Sequence, residues 1–222
     1  MTLLLCQYIL TQPGSYLAFL AARYHQDLSP PPVALLSNYG IPSFKEPFFN
    51  TNHIIWGDEP QPLEKFTPLF DDKEIFTGYT APNKSFDLAS LNEDLTRNTS
   101  FENPKAQEPQ EGDNFPRPDV YDYYVQENKY PQLFNEIEKK IELSPKFPKC
   151  VLLHGNADPD GPLELSEAFV KEVGEENAKL IVVENVGHCF DNGLYLEDGG
   201  VEMKAVKDAW KALDEVIEGT WK

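Results

Sequence analysis

The chain has 222 residues, enough for one large domain or a core that carries an insertion. Its 41% hydrophobic content supports a packed core and excludes wholesale disorder, while a formal net charge of −18 argues against nucleic acid or an anionic membrane surface as partner. Three cysteines, Cys6, Cys150 and Cys189, form neither an even disulfide set nor paired metal spacing, which points to a reducing, cytoplasmic compartment.

Residues 1–10 are apolar but lack a basic start and a small-residue cleavage site, so they do not read as a signal peptide. They are also too few for a membrane span, which takes about 20 residues. Pro13-Gly14-Ser15 reads as a turn, residues 16–26 as a buried helix rich in Ala, and residues 33–39 as a strand closed by Gly40. From Pro42 to about Arg117 the chain turns rich in Pro, Asn, Asp, Glu and Phe, the composition of an irregular insertion held by aromatic anchors, and the insertion as a whole is expected to run to about Lys146. Asn98-Thr99-Ser100 matches a glycosylation acceptor, relevant only to a secreted protein. Toward the end of this stretch residues 120–130 read as helical, and residues 131–143 as a helix whose apolar face is Leu133, Phe134, Ile137 and Ile141.

Order then becomes regular. Residues 150–153 and 179–183 are near-continuous apolar runs, the pattern of parallel strands covered on both faces. Helices are expected over 162–173 and over 201–217, the latter with Val206, Ala209, Trp210, Leu213 and Ile217 at helical spacing. The fold class is therefore α/β. Each of the two late strands runs into a loop that carries a group suited to proton chemistry, Asp158 after the first and His188 after the second. One strand–helix–strand unit separates them, so both loops emerge at the carboxyl ends of neighbouring parallel strands, where open α/β sheets keep their sites. Taken singly, Asp158 also suits the turn Asn156-Ala-Asp-Pro-Asp-Gly161, and His188 suits a capping or core role. No metal-ligand spacing and no glycine-rich phosphate loop are evident, so neither metal nor cofactor is expected.

With these residues in view, the chain resembles the serine α/β-hydrolases of the esterase, lipase and prolyl-oligopeptidase type. VLLHGNADPDGP is similar to the family strand whose Asp orients the catalytic His, and VVENVGHCFD to the segment that carries that His. The resemblance implies Asp158 as orienting acid and His188 as general base, a partial α/β-hydrolase fold of three to four parallel strands, and a carboxylic ester or peptide as substrate. It implies one domain over 1–222, with core residues 13–41 and 146–222, a lid-like insertion over 42–145 and an atypical leader over 1–12. The family nucleophile sits in a G-x-S-x-G elbow, and no such string occurs here; the alignment puts Gln12 at the nucleophile position. Ser15 aligns with a family glycine and is expected to cap the helix at Tyr16.

The sequence thus reads as the acid and base of a triad whose serine and oxyanion loop are missing, and which is inactive as written. The alternatives are a non-catalytic interaction protein on a hydrolase scaffold, or a half-domain completed by a partner chain. A sheet lacking its other half would leave an edge prone to self-association.

Overall fold

The computed structural model describes residues 12–23, 31–55, 59–67, 92, 96–100, 119–138 and 147–221. The chain divides into two compact units: Met1–Asn50, Tyr130–Asp191 and Gly199–Lys222 form the first, Thr51–Lys129 and Asn192–Asp198 the second.

The first unit is an α/β layer structure. Its elements are α1 (Gln12–Arg23), β1 (Ala34–Asn38), α3 (Tyr130–Glu138), β2 (Lys149–Gly155), α4 (Glu164–Val173), β3 (Ala178–Val183) and α5 (Val201–Ile217). The second unit contributes α2 (Asp119–Gln126). The three strands are parallel and lie in the order β1-β2-β3, with Leu36 opposite Val151 and Leu152 opposite Leu180. Among the described residues the sheet therefore has three strands. Residues 1–11 of the leader lie outside the described residues.

β2 is central, and from Cys150 to Gly155 every residue is buried. That is why its sequence is apolar throughout rather than alternating. Leu35, Cys150 and Leu152 join Phe19 of α1 and Phe169 of α4 in one core cluster, and the two rings meet edge to face at 4.8 Å. Alternation along the strand puts Val151 and Leu153 on the opposite face, where α5 packs through Met203, Val206, Ala209 and Leu213. Arg23 at the end of α1 forms a two-pronged pair with Glu172 of α4, at 3.1 and 2.9 Å, which ties the two helices on that face.

Two sequence expectations fail in the first unit for identifiable reasons. α1 begins at Gln12, so Pro13-Gly14-Ser15 is the first helical turn and not a separate turn. A first turn tolerates proline because its N–H would have no helical partner. The apolar face expected for α3 also differs: Leu133 and Ile137 are 48% and 40% exposed, and Ile141 lies outside the described residues. The buried positions are Tyr130 and Glu138, and of the expected face Phe134 is the residue that packs inward, half-buried. Phe44 stacks on both rings, at 4.6 and 4.4 Å, and the Glu138 carboxylate accepts the Ser43 hydroxyl at 2.6 Å and the Phe44 N–H at 2.8 Å. The strap after β1 thus decides which face α3 turns inward. Ile217 of α5 is likewise 39% exposed.

In the second unit Phe66 packs on Tyr123 of α2, and Gln61 and Gln126 exchange two hydrogen bonds of 2.6 and 3.0 Å. Arg97 binds Asp198 at 3.1 Å and lies over the Tyr195 ring. Among the described residues no helix is long and apolar enough to cross a membrane.

Candidate active site

The site is built where β2 and β3 end. Gly155 and Val183 are register partners, so both strands release their loops at one level. The ladder continues past them: Asn156 N–H donates to Val183 O and Ala157 N–H to Val186 O, each at 3.0 Å. The Asn156 side chain adds two links, accepting the Asn185 N–H at 2.7 Å and donating to the Glu184 carboxylate. Gly155 makes this closeness possible, since a Cβ there would lie 2.4 Å from the Val186 carbonyl oxygen. The loops that carry Asp158 and His188 are therefore stitched together over their first residues.

Asp158 and His188 meet. His188 Nδ1 lies 2.7 Å from Asp158 Oδ2, and the Asp158 side chain is buried. A carboxylate can only accept, so Nδ1 carries a proton, and in the neutral ring Nε2 presents its lone pair. Asp158 Oδ1 accepts the N–H groups of Asp160 at 2.9 Å and Gly161 at 3.2 Å. Burial pushes the Asp158 carboxyl upward, but hydrogen bonds from His154, His188 and Gly161 and the nearby His188 charge outweigh it and hold the group at about 2. The turn reading and the acid reading of Asp158 are thus both realised, one on each oxygen. His154 is fully buried under this loop: its Nε2 donates to Gly161 O and its Nδ1 meets Ser166 Oγ, both at 2.7 Å.

Two contributors escaped the sequence reading. Tyr39, just past β1, sets its ring edge to face with His188 at 4.7 Å and donates its phenol proton to Asp191 Oδ1 at 2.8 Å. Asn38 Nδ2 reaches the other Asp191 oxygen at 3.5 Å. Burial first, and then the Asp191 carboxylate, push the Tyr39 phenol well up, so it stays protonated as donor. Of the four described non-glycine residues with positive φ, three adjoin this site: Tyr39 at 40°, Asn185 at 60° and Cys189 at 55°. Such backbone conformations cost energy, and they concentrate where surrounding contacts enforce a geometry. The only sequence hint was the Asn38-Tyr39-Gly40 ending of the strand.

Other candidates are placed elsewhere. Ser15 is buried within the first turn of α1, so it is not the cap expected at Tyr16; its Oγ accepts the Ile41 N–H at 2.9 Å. A Cβ on Gly40 would lie 2.5 Å from the Ser15 Cβ, so the strand end and helix start touch there. Gln12 is the first residue of α1. Burial raises the thiol values of both Cys150 and Cys189, which disfavours the thiolate that a nucleophile needs. His53 lies in the second unit beside Thr51, and Cys6 and His25 fall outside the described residues.

Donor atoms of Asp158, Asp160 and His188 lie within 4.8 Å of one another. The Asp158 oxygens are, however, already committed to His188 and the turn N–H groups, so a cation would have to displace the hydrogen bonds that define the pair. A cleft of about 720 Å³, lined by Val170, Leu180 and Trp221 among others, contains none of these site groups.

No protein-family model matches the chain, and no curated protein does. Among solved structures the chain is similar to a Staphylococcus aureus subsp. aureus Mu50 protein of unknown function, at 19% identity and a TM-score of 0.49 over 94% of this chain. It is also similar to Est1E from Butyrivibrio proteoclasticus, a structure with ferulic acid bound, at 15% identity and a TM-score of 0.40 over 93% of this chain. The chain spans 62% and 57% of the length of those two proteins.

Proposed function

We propose that the chain carries the acid and base of a serine hydrolase of α/β-hydrolase type, acting on a carboxylic ester or a peptide. The observation that carries this reading is the 2.7 Å bond between His188 Nδ1 and Asp158 Oδ2 at the carboxyl ends of adjacent parallel strands. In that arrangement His188 Nε2 takes the proton from a serine hydroxyl as the oxygen attacks the acyl carbon. It then returns the proton to the leaving group. Asp158 holds the imidazole tautomer and stabilises its cation, without itself taking the proton. The low Asp158 value agrees with that division of roles.

The serine and the oxyanion donors are not identified among the described residues. Ser15 is engaged with the Ile41 N–H. Acyl transfer by this acid and base requires a serine hydroxyl at His188 Nε2.

A fluorophosphonate probe, which phosphonylates only activated serines, tests the reading. Labelling of a second polypeptide that co-purifies with the chain, abolished by His188→Ala, is the supporting result. Labelling of Ser15 would overturn the assignment of the nucleophile to another segment. Absence of labelling in the isolated chain and in its native complexes would favour a binding protein on the same scaffold.

A further inference from the structure

His154 is not one of the acid–base pair, yet it is bound into the turn that carries the acid. It sits in β2, where its neighbours Leu152 and Leu153 are apolar core residues, and it is itself fully buried. A leucine or phenylalanine would fill comparable space without the penalty of burying two ring nitrogens, which is tolerable only when both are bonded. Both are. Gly161 O can only accept, so Nε2 carries a proton and donates to it at 2.7 Å. In the neutral ring Nδ1 then receives the hydroxyl proton of Ser166, at 2.7 Å. Ser166 lies in α4 and is buried too. One ring therefore joins β2, the Asp158 turn and α4.

Gly161 links this ring to the acid. Its carbonyl is held by His154, and its N–H donates to Asp158 Oδ1 at 3.2 Å, beside that of Asp160 at 2.9 Å. His154 Nε2 also lies 3.5 Å from Asp158 Oδ2, the oxygen that binds His188. We infer that His154 is a positioning residue for the acid–base pair: by pinning the Gly161 carbonyl it fixes the 158–161 turn, and the fixed turn aims Asp158 Oδ2 at His188 Nδ1. The term acid–base pair rests on the hydrolase reading above, whereas the geometry and the test below do not need turnover.

The groups facing Asp158 are His154 from β2, Asp160 from its own turn, and His188 and Cys189 from the loop after β3. Of these, His188 donates to it at 2.7 Å, while His154 Nε2, whose proton goes to Gly161 O, lies 3.5 Å from its Oδ2. The measurement is NMR on the full chain, labelled with ¹³C at aspartate carboxyls and ¹⁵N at histidine. It reads the titration of Asp158 and the hydrogen-bonded Nδ1–H of His188. In the wild type Asp158 should titrate at about 2. His154→Phe keeps a planar ring without nitrogen; Asp158 should then titrate about one pH unit or more higher, and the His188 Nδ1–H signal should be lost to exchange with water. His154→Gln restores a donor toward Gly161 O and should recover most of both signals, which a space-filling role would not predict. Ser166→Ala removes only the hydroxyl that orients the ring, and should move both signals in the same direction by less.

Unchanged signals in His154→Phe would overturn the inference. If that variant does not fold, Ser166→Ala decides, with a rise supporting and no change overturning. The two proposals fail separately. Shifted signals with no fluorophosphonate labelling would remove the hydrolase reading and leave the positioning role, and unchanged signals with labelling would do the reverse.

Discussion

Tyr39 holds His188 from the side that Asp158 does not. Its ring meets the imidazole edge to face at 4.7 Å, and its hydroxyl anchors on Asp191, three residues beyond the histidine it packs against. The His188 ring is thus fixed by one hydrogen bond at Nδ1 and one aromatic contact. Tyr39→Phe keeps the contact and removes the anchor. It should cost about 1–3 kcal/mol, because the buried phenol bond is to a carboxylate. Denaturant melts against the wild type measure this.

Asp158→Asn tests the carboxylate electrostatics. The folded-state value of about 2 lies below the ordinary 3.8, so the group adds stability that is complete above about pH 4 and is lost as pH falls toward 2. At neutral pH that contribution is about 2 kcal/mol. Unfolding free energies of the wild type and the variant should therefore differ most near pH 7 and converge toward pH 2. Parallel curves across that range would remove the assignment.

Gly155→Ala tests the stitching of the two loops. The added Cβ would meet the Val186 carbonyl at 2.4 Å, and backbone cannot yield as a side chain can. A loss of about 2–4 kcal/mol is expected. Gly187→Ala is the control: its Cβ would find only Ala157 O, at 3.6 Å, and should cost under about 1 kcal/mol. Equal losses at both positions, read by urea denaturation, would contradict the close approach at Gly155.

The packing of α3 is tested by contrast. Phe134→Ala empties a stacked aromatic cluster and should cost about 3–4 kcal/mol. Leu133→Gln and Ile137→Gln, at half-exposed positions, should each stay within about 1 kcal/mol. Glu138→Ala should cost about 2–3 kcal/mol by stranding the Ser43 hydroxyl and the Phe44 N–H.

The contrast between α3 and α5 shows what the sequence could carry. The bounds 201–217 of α5 were legible because a long amphipathic helix against a sheet announces itself by period. The parallel strands were legible for a related reason: strands buried on both faces are unbroken apolar runs. The period of α3 put Phe134 on the inner face, but nothing in it reveals that Phe44, some ninety residues earlier, would select Tyr130 and Glu138 as its companions over Leu133 and Ile137. At the site, Asp158 and His188 could be paired because strand order and loop position follow from an α/β unit. Tyr39 could not, since a single aromatic residue after a strand has no pattern, and its contact with His188 arises only from three strands lying side by side. The start of α1 was missed because Pro-Gly-Ser is turn chemistry in isolation, and only the packing at Gly40 marks Ser15 as part of the helix.

β2 has neighbours on both edges and is buried from Cys150 onward, while β1 and β3 keep half-exposed positions. Its amides should consequently be the slowest in the chain to exchange with deuterium, opening only when the whole first unit opens. His154 lies within that strand and Asp158 three residues past its end, so the acid and its support are anchored to the part of the molecule least given to fluctuation. His188 hangs from the less protected strand. Thermal motion at the site should therefore be asymmetric, with the base moving against a nearly stationary acid.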